Sequence, residues 1–274
     1  MKRALALLVS ALWPAGPAAA QSALYLVPER ATVALGDSVR LAAATGVDPD
    51  AAPGPWPAER IEHFFARTAW TQENRDGLGR AEGSEVVAPW RAAEPGVLLL
   101  GIELADATES VPAASFAAFV DHALGETGRA AIGEVPAGGE VALVRRQSAK
   151  AVVVVESAGA EPASIATSKA GQAVEIRPLM DPVAARPGSD LAVRLHASIP
   201  GAAGGVVIAT NTVTGDVVRA TADSSSIANV PLGTAGRWRL EFHAVARSGD
   251  ETARARFEVH TATLTFDVRP EGEQ

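Results

Sequence analysis

Apolar residues return at every second position in one short segment after another. Between residues 237 and 245, Trp238, Leu240, Phe242 and Ala244 share one parity and Arg237, Arg239, Glu241 and His243 the other. That is the alternation of a strand with one buried face. Comparable strands are predicted at 24–27, 31–35, 38–44, 59–70, 86–90, 97–104 and 140–157 in the first half. The second half gives 174–178, 190–197, 205–210, 216–221, 227–232 and 255–268. Two apolar runs, Val97-Leu-Leu-Leu-Gly-Ile102 and Ala151-Val-Val-Val-Val155, lack a polar parity and read as strands covered on both faces. The last strand changes phase: Phe257 and Val259 are odd, whereas Leu264, Phe266 and Val268 are even, so a bulge near 260–262 is expected. One segment leaves the period of two. Phe116, Phe119, Val120, Ala123 and Leu124 form a single helical stripe, which predicts a helix over 112–126 with Ser110 as its cap, Pro112 in its first turn and Gly125 or Gly128 as its stop.

Turn residues set the order of these elements. Gly36-Asp37 separates two strands and predicts a hairpin. The unit Gly36-Asp-Ser-Val-Arg-Leu41 is echoed by Gly188-Ser-Asp-Leu-Ala-Val-Arg-Leu195, so a similar strand opening occurs twice. With 25 Gly and 18 Pro, turns are plentiful, which favours many short strands over long helices. The expected fold is therefore mainly β: two β-sandwich modules of immunoglobulin or transthyretin type, with one packed helix in the first. The expected division is a leader at 1–20, a first module at 21–172 and a second at 173–274.

The first twenty residues have the pattern of an export signal. Lys2 and Arg3 precede a short apolar run at 4–12, and Ala18-Ala-Ala20 fits a cleavage site, leaving Gln21 at the new N-terminus. The run is too short to span a bilayer and no later stretch approaches the required length, so a periplasmic or secreted protein without a membrane span is expected. There is no cysteine, so disulfides, thiol nucleophiles and cysteine metal sites are excluded. Without the leader the chain has 22 basic and 32 acidic residues, a charge of −10, which disfavours nucleic acid as a partner.

The chain resembles the bacterial exported domain-of-unknown-function 4198 family, some relatives of which are labelled periplasmic components of nickel uptake. The resemblance is carried in order by Leu24-Tyr-Leu-Val-Pro28, Gly36-Asp-Ser-Val-Arg-Leu41, Pro112-Ala-Ala-Ser-Phe-Ala-Ala-Phe119 and Ser148-Ala-Lys-Ala151. It continues through Asp181-Pro-Val-Ala-Ala-Arg-Pro-Gly188, Gly236-Arg-Trp-Arg-Leu240 and Thr261-Ala-Thr-Leu-Thr-Phe266. It implies an exported, two-module, mostly β protein with no established reaction. Many members look to begin with a histidine after cleavage. Gln21-Ser-Ala-Leu-Tyr-Leu26 stands there instead, which removes one metal ligand.

Few residues point to chemistry. Five histidines occur without a His-Glu-x-x-His arrangement. His196, Glu241 and His243 sit on polar strand faces and make a divalent transition-metal site if their strands are neighbours; otherwise they are ordinary sheet-face residues. His122 and Glu126 are four apart on the helix and read as a surface pair. No Gly-x-Ser-x-Gly, Ser-x-x-Lys or phosphate-binding glycine loop is present, and Asp48-Pro-Asp50 lacks a calcium-loop series, so the chain is expected not to be an enzyme. Trp56, Trp70 and Trp90 lie in or beside loops and are candidates for a ligand or partner surface, or for loop-flanking core plugs; Trp238 reads as core. The expected function is an exported binding or accessory protein for metal or small-ligand uptake, with an unknown envelope protein or small ligand as partner. A structural or protein-interaction module of the cell envelope is the alternative, and an envelope hydrolase a more distant one.

Overall fold

The computed structural model describes residues 23–45, 57–74, 80–82, 85–157, 164–199, 205–248, 257–270 and 272, with the backbone alone for 80–90. The first half contributes strands β1 (Leu24–Pro28), β2 (Thr32–Ala34), β3 (Ser38–Thr45), β4 (Ile61–Arg67), β5 (Gln72–Asn74), β6 (Arg80–Glu82), β7 (Glu85–Arg91), β8 (Gly96–Pro112) and β9 (Glu140–Glu156), with helix α1 (Ala113–Ile132) between the last two. The second half contributes β10 (Val174–Pro178), β11 (Ser189–Ala197), β12 (Val206–Asn211), β13 (Val217–Thr221), β14 (Ile227–Leu232), β15 (Gly236–Arg247) and β16 (Phe257–Val268).

One nine-stranded sheet forms the frame, in the order β13-β12-β15-β16-β9-β8-β4-β5, with β2 also paired to β9. The halves join inside it: β16 runs parallel to β9, from Phe257 opposite Leu143 to Thr265 opposite Ala151. Two smaller sheets pack on opposite faces. The β1-β3-β7-β6 sheet brings Leu24, Leu26, Val39 and Leu41 onto Phe64, Leu98, Leu100, Ala151 and Val153. The β10-β11-β14 sheet brings Ile176, Leu191, Val193 and Val230 onto Val152, Trp238, Leu240 and Phe266. The fold is thus mainly β, two sandwiches sharing one wall. Residue 172 ends a loop between the halves, yet strands from both sides of it belong to the shared sheet. This sharing explains the runs without a polar parity. In β9, odd valines face one core and Val152 the other; in β8, Leu98 and Leu100 face one core and Val97 and Leu99 the other. Each such side chain contributes roughly 1.5–3 kcal/mol through burial.

The helical stripe is buried as its spacing predicts: Phe116, Phe119, Val120, Ala123 and Leu124 pack with Val141, Leu143, Val245, Phe257 and Val259 on the outer face of the large sheet. Gly125 breaks the helix with φ +64 before it resumes to Ile132. Glu126 therefore lies beyond the break, and the expected pairing of His122 with it at four residues on one helix is lost. Ser110 is not the cap. It belongs to β8, and its hydroxyl donates to Glu140 at 3.0 Å.

Two further expectations are corrected. Gly36, at φ +91, does not close a hairpin: β2 pairs in parallel with β9 in the large sheet, whereas β3 pairs with β1 and β7 in another. The turn is a corner between sheets. In β16 no bulge occurs, and its register with β15 is unbroken from Phe257 opposite Arg247 to Val268 opposite Gly236. The phase changes because the covering element changes. Phe257 and Val259 face helix α1, while Leu264, Phe266 and Val268 face the other sandwich.

Candidate functional site

The outer face of the large sheet carries apolar clusters under β1 and under helix α1, and a polar band lies between them. Glu241 and His243 are two apart on β15 and so share a face; the His243 Nε2 meets the Glu241 carboxylate, and its Nδ1 lies 2.9 Å from the Thr261 hydroxyl on β16. Tyr25, the only tyrosine in the chain, reaches across from β1 and donates its phenol to the other Glu241 oxygen. The Phe119 ring stands edge-on to His243 at 5.0 Å, and the Arg239 guanidinium lies 5.1 Å from the centre of the Tyr25 ring. All are enclosed: Tyr25 is 5 %, Glu241 4 %, His243 1 % and Thr261 0 % exposed.

Charge follows from this enclosure. Burial pushes the Glu241 carboxyl up, but the His243 charge and the hydrogen bonds from His243 and Tyr25 outweigh it and leave the group below its ordinary value. Burial, with Glu241 adding to it, drives the Tyr25 phenol well above its ordinary value. Burial lowers His122, and Arg219 adds to the effect. The set is a hydrogen-bonded tie between the first strand and the centre of the sheet. Neither of the two cavities described below is lined by its members.

His196 does not join Glu241 and His243. Its strand, β11, pairs with β10 and β14 in the smaller sheet, and its ring lies 3.2 Å from the Ser198 hydroxyl. His196 has the parity opposite to Leu191, Val193 and Leu195, which face the shared core, whereas Glu241 and His243 project from the far side of β15. The second sandwich separates them. Among the described residues no group of three His, Asp or Glu side chains is placed to hold a metal ion. Tyr25 and Thr261 were not foreseen. A phenol within an apolar strand is the signal that could have found the first, because a buried hydroxyl needs a partner.

Of the three loop tryptophans, Trp70 alone has a described side chain. Trp56 and the Trp90 side chain lie outside the described residues. Trp70 stands on the turn between β4 and β5 and is 62 % exposed. Trp238 is buried, its indole N–H donating to the Thr234 carbonyl at 3.0 Å.

A cavity of about 860 Å³ opens where β2 and β16 separate. Both strands run parallel to β9 on the same side of it. β16 accompanies β9 only as far as Thr265, and β2 takes up the pairing from Val154. Beyond Thr265, β16 pairs with β15 alone. Val152, Val154, Val213 and Val268 line the gap with Thr32 and Asp267. Arg269 spans its mouth, donating to Glu156 at 3.0 Å and to Thr32 at 3.2 Å. A smaller cavity, about 90 Å³, lies by the Trp70 turn; Thr68, Thr71, Glu73, Arg91 and Glu94 line it together with the apolar Ala66, Ala92, Leu98 and Val155.

His260 is a further buried group. Burial, with Arg146 opposite it, lowers its pKa to about 4, although Asp106 opposes the shift. The unfolded chain takes up this proton near pH 6.5, the folded protein only near pH 4. The unfolded state therefore binds more protons between these values, so this contribution to stability is complete above about pH 6.5 and lost as pH falls to about 4. The expected result is a smaller loss of melting temperature across this window in His260→Gln than in the parent. Parallel curves would contradict the assignment.

No known family's sequence profile matches the chain, and no curated protein matches it. Solved structures overlap loosely. A tetra-tandem repeat from the extending region of a large adhesion protein is 12 % identical, with 90 % of this chain and 49 % of that one covered and a TM-score of 0.21. A Ca²⁺-stabilised adhesin of an Antarctic bacterium is 12 % identical, with 92 % and 50 % covered and a TM-score of 0.24. Murine CEACAM1b is 10 % identical, with 91 % and 100 % covered and a TM-score of 0.21. The chain spans about half the length of the first two, and superpositions this loose transfer no function.

Proposed function

We propose that the protein is a non-catalytic interaction module that takes an extended polypeptide segment into the groove between β2 and β16. One observation carries this reading: the groove is walled by the edges of two strands that, among the described residues, have no strand partner there, above a floor of valines. A strand edge presents N–H and C=O groups that another extended backbone satisfies, and an apolar floor selects its alternate side chains. The export pattern of the first twenty residues, and the family resemblance, suit a partner in the cell envelope. Among the described residues metal uptake lacks a ligand set, and the Tyr25–Glu241–His243 set is enclosed rather than open to a substrate.

A library of ten-residue peptides tests the proposal. Selection should enrich sequences with apolar residues at every second position. Val213 is 72 % exposed, so Val213→Asp should leave the fold intact while weakening the selected peptides by at least about tenfold. No enrichment, or equal binding by the variant, would count against the groove.

A further inference from the structure

We infer that the hairpin tip at Trp70 is a saccharide-binding site, separate from the β2–β16 groove and independent of its role. The tip is held by its own polar network. The Thr68 hydroxyl accepts from the backbone N–H groups of Trp70 at 3.2 Å and Thr71 at 3.0 Å, lies 2.9 Å from the Thr71 hydroxyl and donates to Glu94. The Thr71 hydroxyl also reaches Glu94, at 3.4 Å. Glu94 belongs to the segment before β8, so the turn is fastened to the sheet at a second point. This fastening holds out an indole that buries little of its own surface.

The surroundings decide what such an indole recognises. An apolar protein partner would be met by an apolar patch. Here Gln72, Glu73 and Asn74 on β5 are all exposed and polar, the Gln72 amide lies 3.5 Å from the Asn74 side-chain oxygen, and Arg91 and Glu94 line the adjoining cavity with Glu73. An anion would meet two carboxylates and a chain of net charge −8. A cation would meet the Arg91 guanidinium. A neutral saccharide satisfies all of these constraints. Its ring has an apolar C–H face that stacks on an indole, and a rim of hydroxyls that both donate to carboxylates and accept from amides and guanidinium.

Affinity electrophoresis of the whole protein through native gels containing hydroxyethylcellulose, galactomannan or dextran tests the inference. At least one polysaccharide should retard the protein. Trp70→Ala should reduce the apparent affinity at least about tenfold, and Trp70→Tyr, which keeps a stacking face, should stay within about threefold of the parent. Val213→Asp should be retarded like the parent, so failure of the groove and failure of this site are read separately. Retardation by none of the three, or retardation unchanged in Trp70→Ala, overturns the inference. An equal loss in Trp70→Tyr also overturns it, because stacking would then not be the basis of binding.

Discussion

Lys150→Met is expected to destabilise the protein by about 3–5 kcal/mol, read as a fall in the urea midpoint with an unchanged slope. Lys150 is 1 % exposed and Glu175 is not exposed at all; their side chains meet at 2.7 Å. Burial lowers the Lys150 ammonium, and Glu175 opposes that shift. The Glu175 carboxylate also accepts the N–H groups of Ala170 at 2.8 Å and Gly171 at 3.2 Å, so the pair fixes the loop that leads from one half to the other. Removing the lysine leaves a buried carboxylate whose remaining donors, among the described residues, are two neutral N–H groups. Replacing both residues, Lys150→Met with Glu175→Gln, should recover part of the loss, because the amide carries no charge and its oxygen still accepts from one of the two loop N–H groups, although its NH2 then faces the other. A single variant that costs less than about 1 kcal/mol would show that the pair is not buried as described.

Gly101→Val should cost about 3 kcal/mol, the upper end of ordinary overpacking. Gly101 sits on β8 directly opposite Phe65 on β4, and a Cβ at 101 would lie 2.1 Å from the Phe65 Cζ. The tip of the Phe65 ring lies over the glycine, and the Arg67 guanidinium, two residues along the same strand, lies 5.7 Å from the ring centre. Relief must come from moving the ring, which belongs to the core of the second sandwich. Phe65→Ala alone should cost about 3–5 kcal/mol. The two changes should be less than additive by more than about 1 kcal/mol, since the cavity left by one accepts the side chain of the other. Strict additivity in chemical denaturation would mean that residues 65 and 101 do not touch.

What the sequence disclosed depended on the range of the interaction. The alternation in β15 and the stripe of α1 are local, and Trp238, Leu240, Phe242, Phe116 and Phe119 are buried as their spacing predicts. That Glu241 and His243 share a face also followed from parity. Their partners did not, because Tyr25 arrives from the opposite end of the chain and Thr261 from a strand whose neighbours no periodicity states. His196 was the wrong third residue for the same reason: parity gives a face, not a sheet. The Gly36 turn misled because a positive-φ glycine reverses a hairpin or turns a corner equally well. Lys150, flanked by Ser148-Ala and by Ala151 and four valines, was a clue that could have been taken, since a lysine inside a strand covered on both faces needs a counter-ion.

The position of β16 between β15 and β9 has a kinetic consequence. Its residues follow both β9 and β15 in the chain, yet they lie between them in the sheet, and their pairing with β9 is distant in sequence and therefore slow to close. Until residues 257–268 arrive, β9 and β15 each expose a long apolar edge, the kind that templates pairing between chains. The interval between emergence of β9 and of β16 is accordingly the period in which this chain is most exposed to aggregation.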